Sequence, residues 1–333
     1  MFRLIATRVI LGLITLLAVC ILLFLLIANL GYDAASAVLG QGATPDALVV
    51  YRHELGLDRP TYVRLWEWLS NLAHGSLGTS LTNQRDVLTT LTPRLSRSLF
   101  LAGFAAFIAV PLAVGLGILA AINEGKWPDR LANIVSLATI SLPEFFVGYV
   151  LILLLALNLS AYVVQYQWVI DAFGENFKLF TSDAIYSSDM PLLDKLHNVA
   201  LPAFALTMLV TAHILRTTRS ALLSVMSQPY IEMAFLKGLS RARVILVHAL
   251  PNAAAPIISV IALNLAYLIV GVVVIETVFN YHGVGEFMVD GVGKADAPVV
   301  LGCALVFATA FISLNTLADV LAILVNPRLR HPR

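Results

Sequence analysis

Charged residues are scarce in this chain of 333 residues: only 12% are Asp, Glu, Lys or Arg, against roughly 25% in soluble proteins. The formal net charge of +1 provides no basic surface for nucleic acid, so no nucleic-acid partner is expected. The two cysteines, Cys20 and Cys303, both lie in apolar stretches. They indicate neither a disulfide framework nor a metal site.

Catalytic motifs are also missing. The segment His53–Leu57 begins like a zinc-protease helix, but Leu57 stands where such a helix requires its second histidine. The sequence contains no G-x-S-x-G turn for a serine nucleophile and no G-x-x-x-x-G-K-S/T loop for ATP. Its seven histidines and six methionines are scattered, which indicates no metal relay. We therefore expect no catalytic residue, no metal site and no cofactor in this chain, and elimination favours transport over an enzyme function.

Hydrophobic residues, by contrast, make up 59% of the chain. Six apolar stretches reach the length of about 20 residues that a helix needs to cross a bilayer. A soluble protein with buried helices is disfavoured, because core helices rarely contain such long apolar runs. We predict an all-α integral membrane protein with one domain over residues 1–333 and transmembrane helices at about 9–30, 98–123, 132–159, 197–217, 252–276 and 298–320. The first run exceeds the apolar core of a signal peptide, about 7–15 residues, and is interpreted as a retained helix.

Basic residues predict the orientation of these spans, because Lys and Arg in short loops favour the cytoplasmic side. With six spans, the basic groups before the first span, after the second, around the fourth connection and at the end of the chain fall on one side. They are Arg3, Arg8, Lys126, Arg130, Arg216, Arg219, Lys237, Arg241, Arg243, Arg328, Arg330 and Arg333. The opposite loop at 159–196 is acidic. Both termini are therefore predicted to be cytoplasmic.

The loops on the predicted outer side carry signals of structure. In the first, residues 31–95, Thr44 is a good N-cap residue and Gly56 a good helix stop, and a second helix is predicted to follow Pro60. We therefore predict a small helical cap, with a flexible loop as the alternative. The second outer loop, 159–196, is too rich in aromatic residues for disorder. We expect it to pack on the membrane surface or against a partner.

The loop at 218–250, predicted to be cytoplasmic, contains another short helix. Pro229 suits a first helical turn, and Gly238 can adopt the left-handed conformation that ends a helix. Apolar and aromatic side chains between them are spaced as i,i+4 pairs, and Ser240 is a good N-cap residue for the next helix. The residues alone leave two interpretations open: a helix that contacts another protein, or an amphipathic helix that rests on lipid.

A resemblance to a known family bears on this choice. The segment Glu232-x-Ala234-x-x-x-Gly238 resembles the cytoplasmic loop signature of the membrane subunits of binding-protein-dependent ABC importers, with Met233 in place of the usual middle alanine. Other segments resemble the dipeptide/oligopeptide/nickel permease family: "RHELGLDRP" (Arg52–Pro60), "GSLGTSL" (Gly75–Leu81), "IETVFNYHGVGEFMVDGV" (Ile275–Val292) and "NPRLR" (Asn326–Arg330). The long first outer loop is similar to that of the first of this family's two non-identical membrane subunits.

The resemblance implies a non-catalytic permease subunit that forms half of a pathway for di- or oligopeptides in a bacterial-type inner membrane. Besides lipid, it implies a homologous second permease subunit, two ATPase subunits that bind ATP and Mg, and an extracytoplasmic solute-binding protein. The helix at 229–238 would be a coupling helix in a groove of an ATPase subunit, with contacts from Tyr230, Ile231, Glu232, Ala234, Phe235 and Gly238. Alternatives are the same machinery for nickel or another small solute, and a stand-alone secondary transporter, for which an inverted repeat is expected.

Polar and kinking residues inside the predicted spans are candidates for the substrate path, because intramembrane polar groups usually face a cavity or a partner. Glu144 could meet the amino group of a peptide, and a structural contact to the second permease is the alternative. For Glu276 a structural role is favoured over a place in the path. The candidate pathway residues are Pro143, Glu144, His213, Asn264 and Glu276.

Overall fold

A computed structural model of the chain describes residues 2–28, 34–40, 42–166, 171, 178–187 and 189–325. Helices dominate this part of the chain, and one isolated β-bridge joins Thr79 to Asp86. The all-α prediction is confirmed. The segment "NPRLR" and the arginines Arg328, Arg330 and Arg333 lie outside the described residues.

The helices are numbered in chain order over the described residues. They are α1 (Phe2–Ala28), α2 (Ala34–Leu39), α3 (Pro45–Glu54), α4 (Thr61–Ala73), α5 (Val87–Ile122), α6 (Trp127–Ser141), α7 (Glu144–Val163), α8 (Leu192–Met226), α9 (Pro229–Leu236), α10 (Arg241–Arg243, continued by Val244–Ala249 and Leu250–Val278), α11 (Val284–Gly293) and α12 (Ala297–Val325). Two stretches are π-helical, Ile152–Leu159 in α7 and Val244–Ala249 in α10.

In the part of the chain that the structure describes, six helices are long and apolar enough to cross a membrane: α1, α5, α7, α8, α10 and α12. The predicted number of spans is therefore confirmed. With 36 residues in α5 and 35 in α8, both helices extend beyond the predicted bounds of 98–123 and 197–217. At about 1.5 Å per residue, each is about 50 Å long and projects out of a hydrocarbon layer of about 30 Å.

The third span differs from the prediction of one helix over 132–159. Helix α6 ends at Ser141 and α7 begins at Glu144. Leu142 has an extended backbone, with φ −94° and ψ 135°, as expected for a residue before proline. Because Pro143 lacks the N–H that would continue α6, the chain breaks there and starts a new helix. Hydropathy alone could not reveal this, since both helices are apolar.

The bundle is packed around α5, α8 and α10. Helices α5 and α8 approach closely at Gly117, where a Cβ would lie 2.7 Å from Thr218 Cβ. Helix α12 packs on α10, and α1 lies against α12, where Ile312 occupies the space beside Gly12. Most large apolar residues of α1 are exposed, as expected for a helix that faces lipid.

The two ends of the bundle differ in character. Helix α4 covers one end, which we call the cap end: Trp68 is buried there against Phe24 of α1, next to Leu301 of α12. The start of α1 and the end of α12 therefore lie at the opposite end. That end also carries residues 123–130 and 216–243, and we call it the basic end.

Both predicted helices of the cap are present as α3 and α4. Thr44 caps α3, its Oγ1 accepting a hydrogen bond from Ala47 N at 3.3 Å, and Gly56 has the predicted left-handed conformation, with φ +65°. A buried carboxylate, Asp296, joins the cap to the start of α12. It accepts hydrogen bonds from Ser80 Oγ at 2.5 Å and Thr82 Oγ1 at 2.9 Å.

The described part of the loop 159–196 packs on the cap end of its own chain. Ala184 N donates a hydrogen bond to Phe279 O at 2.9 Å. Tyr186 packs its ring against Tyr281 and Phe100, with ring centroids 6.1 and 5.4 Å away. Tyr186 thus fills a contact within the chain. Tyr162 and Tyr166 are exposed, and Trp168, Phe173 and Phe177 lie outside the described residues, so packing of this loop on the membrane surface or a partner stays a prediction.

Candidate functional site

Helix α9 lies at the basic end, between α8 and α10. Gln228 has an extended backbone, with φ −83° and ψ 144°, and Pro229 takes the first helical position, where a missing N–H costs nothing. Ile231 and Ala234 point into the bundle and are buried. They pack in a cluster, which we call the seat of α9, with Ala121, Leu222, Val244, Ile245, Ala249, Ala253 and Ile257. The seat joins α9 to α5, α8 and α10.

The opposite face of α9 is exposed and, apart from Glu232, apolar. Tyr230, Met233, Phe235 and Leu236 are exposed, Leu236 to 75%, whereas Ile231 is 0% exposed. The structure therefore divides the six predicted contact residues. Tyr230, Glu232 and Phe235 are exposed, Ile231 and Ala234 lie in the seat, and Gly238 follows the helix end. Ile231 and Ala234 hold α9 on its own chain, while the contact with an ATPase stays a prediction.

The end of α9 depends on Gly238. Its φ is +79°, a conformation that favours glycine because it has no Cβ. Its N–H donates a hydrogen bond to Phe235 O at 2.8 Å, which satisfies a carbonyl of the last turn. No atom lies within 4 Å of a Cβ built at this position, so backbone conformation rather than packing selects glycine. Ser240 then caps α10 by accepting from Arg243 N at 3.4 Å.

Two ion pairs join the α5–α6 turn and the first turn of α6 to the helices around α9. Arg241 at the start of α10 pairs with Glu124, and its Nη2 donates to Ala121 O at 3.3 Å. Arg219 of α8 pairs with Asp129 of α6, with its Nη2 2.8 Å from Asp129 Oδ2. Hydrogen bonds from Arg219 hold the pKa of Asp129 below its usual value. Sequence reasoning missed Glu124 and Asp129, because their partners are 117 and 90 positions away.

A cavity of about 510 Å³ opens between α7, α8 and α10. Its volume lies within the range of about 300–1,000 Å³ of small-molecule sites. Three predicted pathway residues line it together: Glu144, His213 and Asn264. We call this cavity the groove, because its lining residues Leu263 and Tyr267 remain exposed on one side, Tyr267 to 58%.

Glu144 enters the groove from the first position of α7. Its carboxylate lies over Gly271 of α10, where a Cβ would be 3.3 Å from Oε2. Pro143 does not line the groove and acts on it only by starting α7. At a helix N-terminus a carboxylate is favoured, because unpaired backbone N–H groups point toward it. On α10, Asn264 Nδ2 donates to Val260 O at 2.8 Å.

Glu276 does not line the groove, and its side chain is 0% exposed. Its Oε1 accepts a hydrogen bond from Ser98 Oγ at 2.5 Å, and its Oε2 accepts from Gly285 N and Glu286 N at 2.7 and 3.2 Å. A Cβ on Gly283 would overlap this carboxylate. Glu276 thus caps the start of α11 and ties it to α5. These contacts favour the structural alternative for Glu276, and its place in the substrate path stays a prediction.

The groove also contains residues that the sequence analysis missed. Thr217, Tyr267 and Gly271 line it, but none is charged, and each fits equally well on a packed or lipid-facing side of a span. Within the described ranges, no group of three or more His, Cys, Asp and Glu side chains is placed to hold a metal ion. What the arrangement offers is an apolar trough with one carboxylate and a few neutral polar groups.

Two family models match the chain. The model described as the binding-protein-dependent transport system inner membrane component matches residues 113–331. The model of the N-terminal part of such membrane components matches residues 1–102. Together the two models account for both the cap and the bundle.

Individual permeases are similar over nearly the whole chain. The di/tripeptide transport system permease protein DppB of Pseudomonas aeruginosa is 34% identical over 336 residues, covering 100% of each chain. The dipeptide transport system permease protein DppB of Escherichia coli is 33% identical over 325 residues, 96% of each chain. The glutathione transport system permease protein GsiC of Salmonella typhimurium is 31% identical over 322 residues, covering 96% of this chain and 97% of its own.

Proposed function

Because the chain belongs to the family of binding-protein-dependent transport system inner membrane components, we propose that it is the permease subunit of an ATP-driven peptide importer. The observation that carries this proposal is similarity over 96% to 100% of the chain to permeases named for dipeptides, di/tripeptides and glutathione. Short peptides are therefore the proposed substrate class. The chain itself is proposed to be non-catalytic.

The groove is proposed to be this subunit's half of the translocation pathway. It lies between three membrane helices, and its lining residues Leu263 and Tyr267 are exposed on one side. A homologous second permease closing this side would complete a passage and would cover apolar surface that is otherwise uncovered. Glu144, His213 and Asn264 are the proposed polar positions of this half of the pathway.

The outer face of α9 is proposed to contact an ATPase subunit. A helix laid in a groove is recognised by its apolar anchors, and Tyr230, Met233, Phe235 and Leu236 provide them. The seat would pass a displacement of α9 on to α5, α8 and α10. Glu232 could pair with a basic residue of the ATPase, but an exposed pair contributes only about 0–1 kcal/mol. Shape should therefore dominate the contact.

The remaining partners follow from this arrangement. Two ATPase subunits would bind ATP and Mg, and a solute-binding protein would deliver peptide at the cap end. The basic end, which carries exposed residues such as Lys126, Arg130 and Arg243, would be cytoplasmic by the preference of basic loops for that side. Both termini would then be cytoplasmic in an inner membrane.

Reconstitution tests the proposal. The chain would be purified with its second permease and ATPase subunits, placed in liposomes, and supplied with the binding protein and radiolabelled tripeptide. Uptake is expected only when ATP, the ATPase subunits and the binding protein are all present. Peptide uptake by this chain alone, or uptake that persists without ATP, would overturn the proposal.

A further inference from the structure

The groove extends through much of the membrane thickness. Along α10 its lining runs from Val260 to Ile275, which is about 22 Å at 1.5 Å per residue, within a hydrocarbon layer of about 30 Å. A second cavity of about 360 Å³ lies between α5, α6 and α8, and none of its described lining residues is Asp, Glu, Lys or Arg. The long groove is therefore the cavity in which a charged group of a solute would find a polar partner.

One formal charge lines the groove among the described residues. Glu144 is the single described lining residue of the Asp, Glu, Lys and Arg types, and most other lining residues are apolar. Among the described residues, none makes a hydrogen bond or ion pair with the carboxylate of Glu144. A carboxylate among apolar side chains is costly unless a cation accompanies it. The geometry thus leaves a place for a positively charged group beside Glu144.

The space around Glu144 suits a small cation. Gly271 lies directly under the carboxylate, and even a methyl group there would come within 3.3 Å of Oε2. Gly271 is seven residues from Asn264, or about 10 Å along α10. An extended tripeptide has about the same length. A peptide whose ammonium group lies at Glu144 would therefore reach the polar side chain of Asn264 with its other end.

We infer that Glu144 binds the ammonium groups of peptides in transit and makes this permease prefer cationic over anionic peptides. The inference rests on the proposed function. Its physical basis is a charge-assisted hydrogen bond in a largely apolar groove, which is stronger than the same bond in water. An anionic side chain passing the same point would meet repulsion without compensation.

The test uses the assembled transporter in liposomes with saturating, fully loaded binding protein, so that delivery does not limit the rate. Maximal uptake rates are measured for tripeptides with a central lysine and a central glutamate. Glu144→Gln should lower the lysine-to-glutamate rate ratio about tenfold, and Glu144→Asp should retain most of it. Asp290→Asn removes an exposed carboxylate of α11 and should leave the ratio unchanged.

Gly271→Ala is the second variant. It keeps the carboxylate but crowds it, and should shift the ratio in the same direction as Glu144→Gln. An unchanged ratio in both variants, with uptake retained, would overturn the inference while leaving the proposed function intact. Failure of Glu144→Gln to assemble with the second permease, together with an unchanged ratio in Gly271→Ala, would also overturn it and assign Glu144 to a subunit contact. Absence of peptide uptake by the unaltered transporter would instead count against the proposed function.

Discussion

At the scale of single residues, glycines serve this chain in two different ways. Gly238 has open space around it and is required by its left-handed backbone. Gly283 has an extended backbone, with φ −96° and ψ −162°, and is required because the Glu276 carboxylate fills the place of its Cβ. The need for glycine at position 238 is local and was predicted from the sequence. The need for glycine at position 283 comes from the buried carboxylate of Glu276 and was not predicted.

Gly238→Pro should stop ATP-dependent peptide uptake while leaving the amount of inserted protein unchanged. The proline ring fixes φ near −65° and removes the N–H that bonds to Phe235 O, so the end of α9 would be lost. Gly238→Asn is the control, since asparagine tolerates the left-handed conformation, and it should retain much of the uptake. Uptake by the proline variant at the unaltered rate would refute a role for the α9 end in coupling.

Gly283→Ala should destabilise the assembled protein by about 1–3 kcal/mol or more, because the added methyl group overpacks a buried hydrogen-bond network. The measurement is the melting temperature of the purified complex. Gly293→Ala is the matched control: no atom lies within 4 Å of a Cβ there, so its melting temperature should stay close to that of the unaltered protein. Equal melting temperatures for the two variants would contradict the close packing at Gly283.

At the scale of elements, the ends of helices could be predicted from neighbouring residues, whereas contacts between helices distant in the chain could not. Pro229 and Gly238 mark the two ends of α9 within a few residues, so its bounds could be predicted from the sequence. Which face of α9 is buried depends on helices far away in the chain. The resemblance placed Ile231 among the contacts to an ATPase, whereas the structure buries it in the seat. The break at Pro143 was missed because the apolar run continues through it.

The ion pair between Glu124 and Arg241 should affect coupling more than stability. Its side chains are 47% and 40% exposed, so loss of the pair should cost only about 0–1 kcal/mol. We expect Glu124→Arg to lower the amount of peptide transported per ATP hydrolysed, because the α5–α6 turn is no longer held to the start of α10. The double variant Glu124→Arg/Arg241→Glu should restore part of the peptide transport per ATP hydrolysed. A double variant as defective as Glu124→Arg alone would argue against this pair as a link.

The pair between Asp129 and Arg219 gives a pH-dependent prediction. The pKa of Asp129 is lower in the folded protein than its ordinary value of 3.8, so its stabilising effect is full above 3.8 and is lost as pH falls through the folded value. Asp129→Asn should therefore lower the melting temperature at neutral pH. The difference between variant and unaltered protein should shrink only below pH 3.8. A difference that disappears near neutral pH would contradict this assignment.

At the scale of the whole molecule, hydropathy and charge predicted the six-span architecture. The contacts that assemble the cap end could not be predicted from hydropathy and charge. Asp296 and Ser80 are 216 residues apart, and neither position carries a signal for the other. The same holds for the groove: Glu144 was identified by its charge, but its neighbour Gly271 is recognisable only once α7 and α10 are placed side by side.

The orientation of the molecule can be tested with single-cysteine labelling. The native Cys20 and Cys303 are buried, so they should react little with a membrane-impermeant maleimide. Leu236→Cys on α9 should be labelled only from the cytoplasmic side, and Tyr62→Cys on α4 only from the outside, since both positions are 75% exposed. Bound ATPase subunits should protect Leu236→Cys. Labelling of both cysteines from one side would refute the predicted orientation.

The two faces of α9 make different contacts: one is buried in the seat, and the other is exposed. Because Ile231 and Ala234 are committed to the seat, the outward side chains can be exchanged without disturbing the bundle. Replacing only Tyr230, Met233, Phe235 and Leu236 by the residues of another permease should therefore make this subunit bind the ATPase of that permease. A few exposed side chains of α9 would then decide which ATPase the subunit binds, while the residues buried in the seat stay the same.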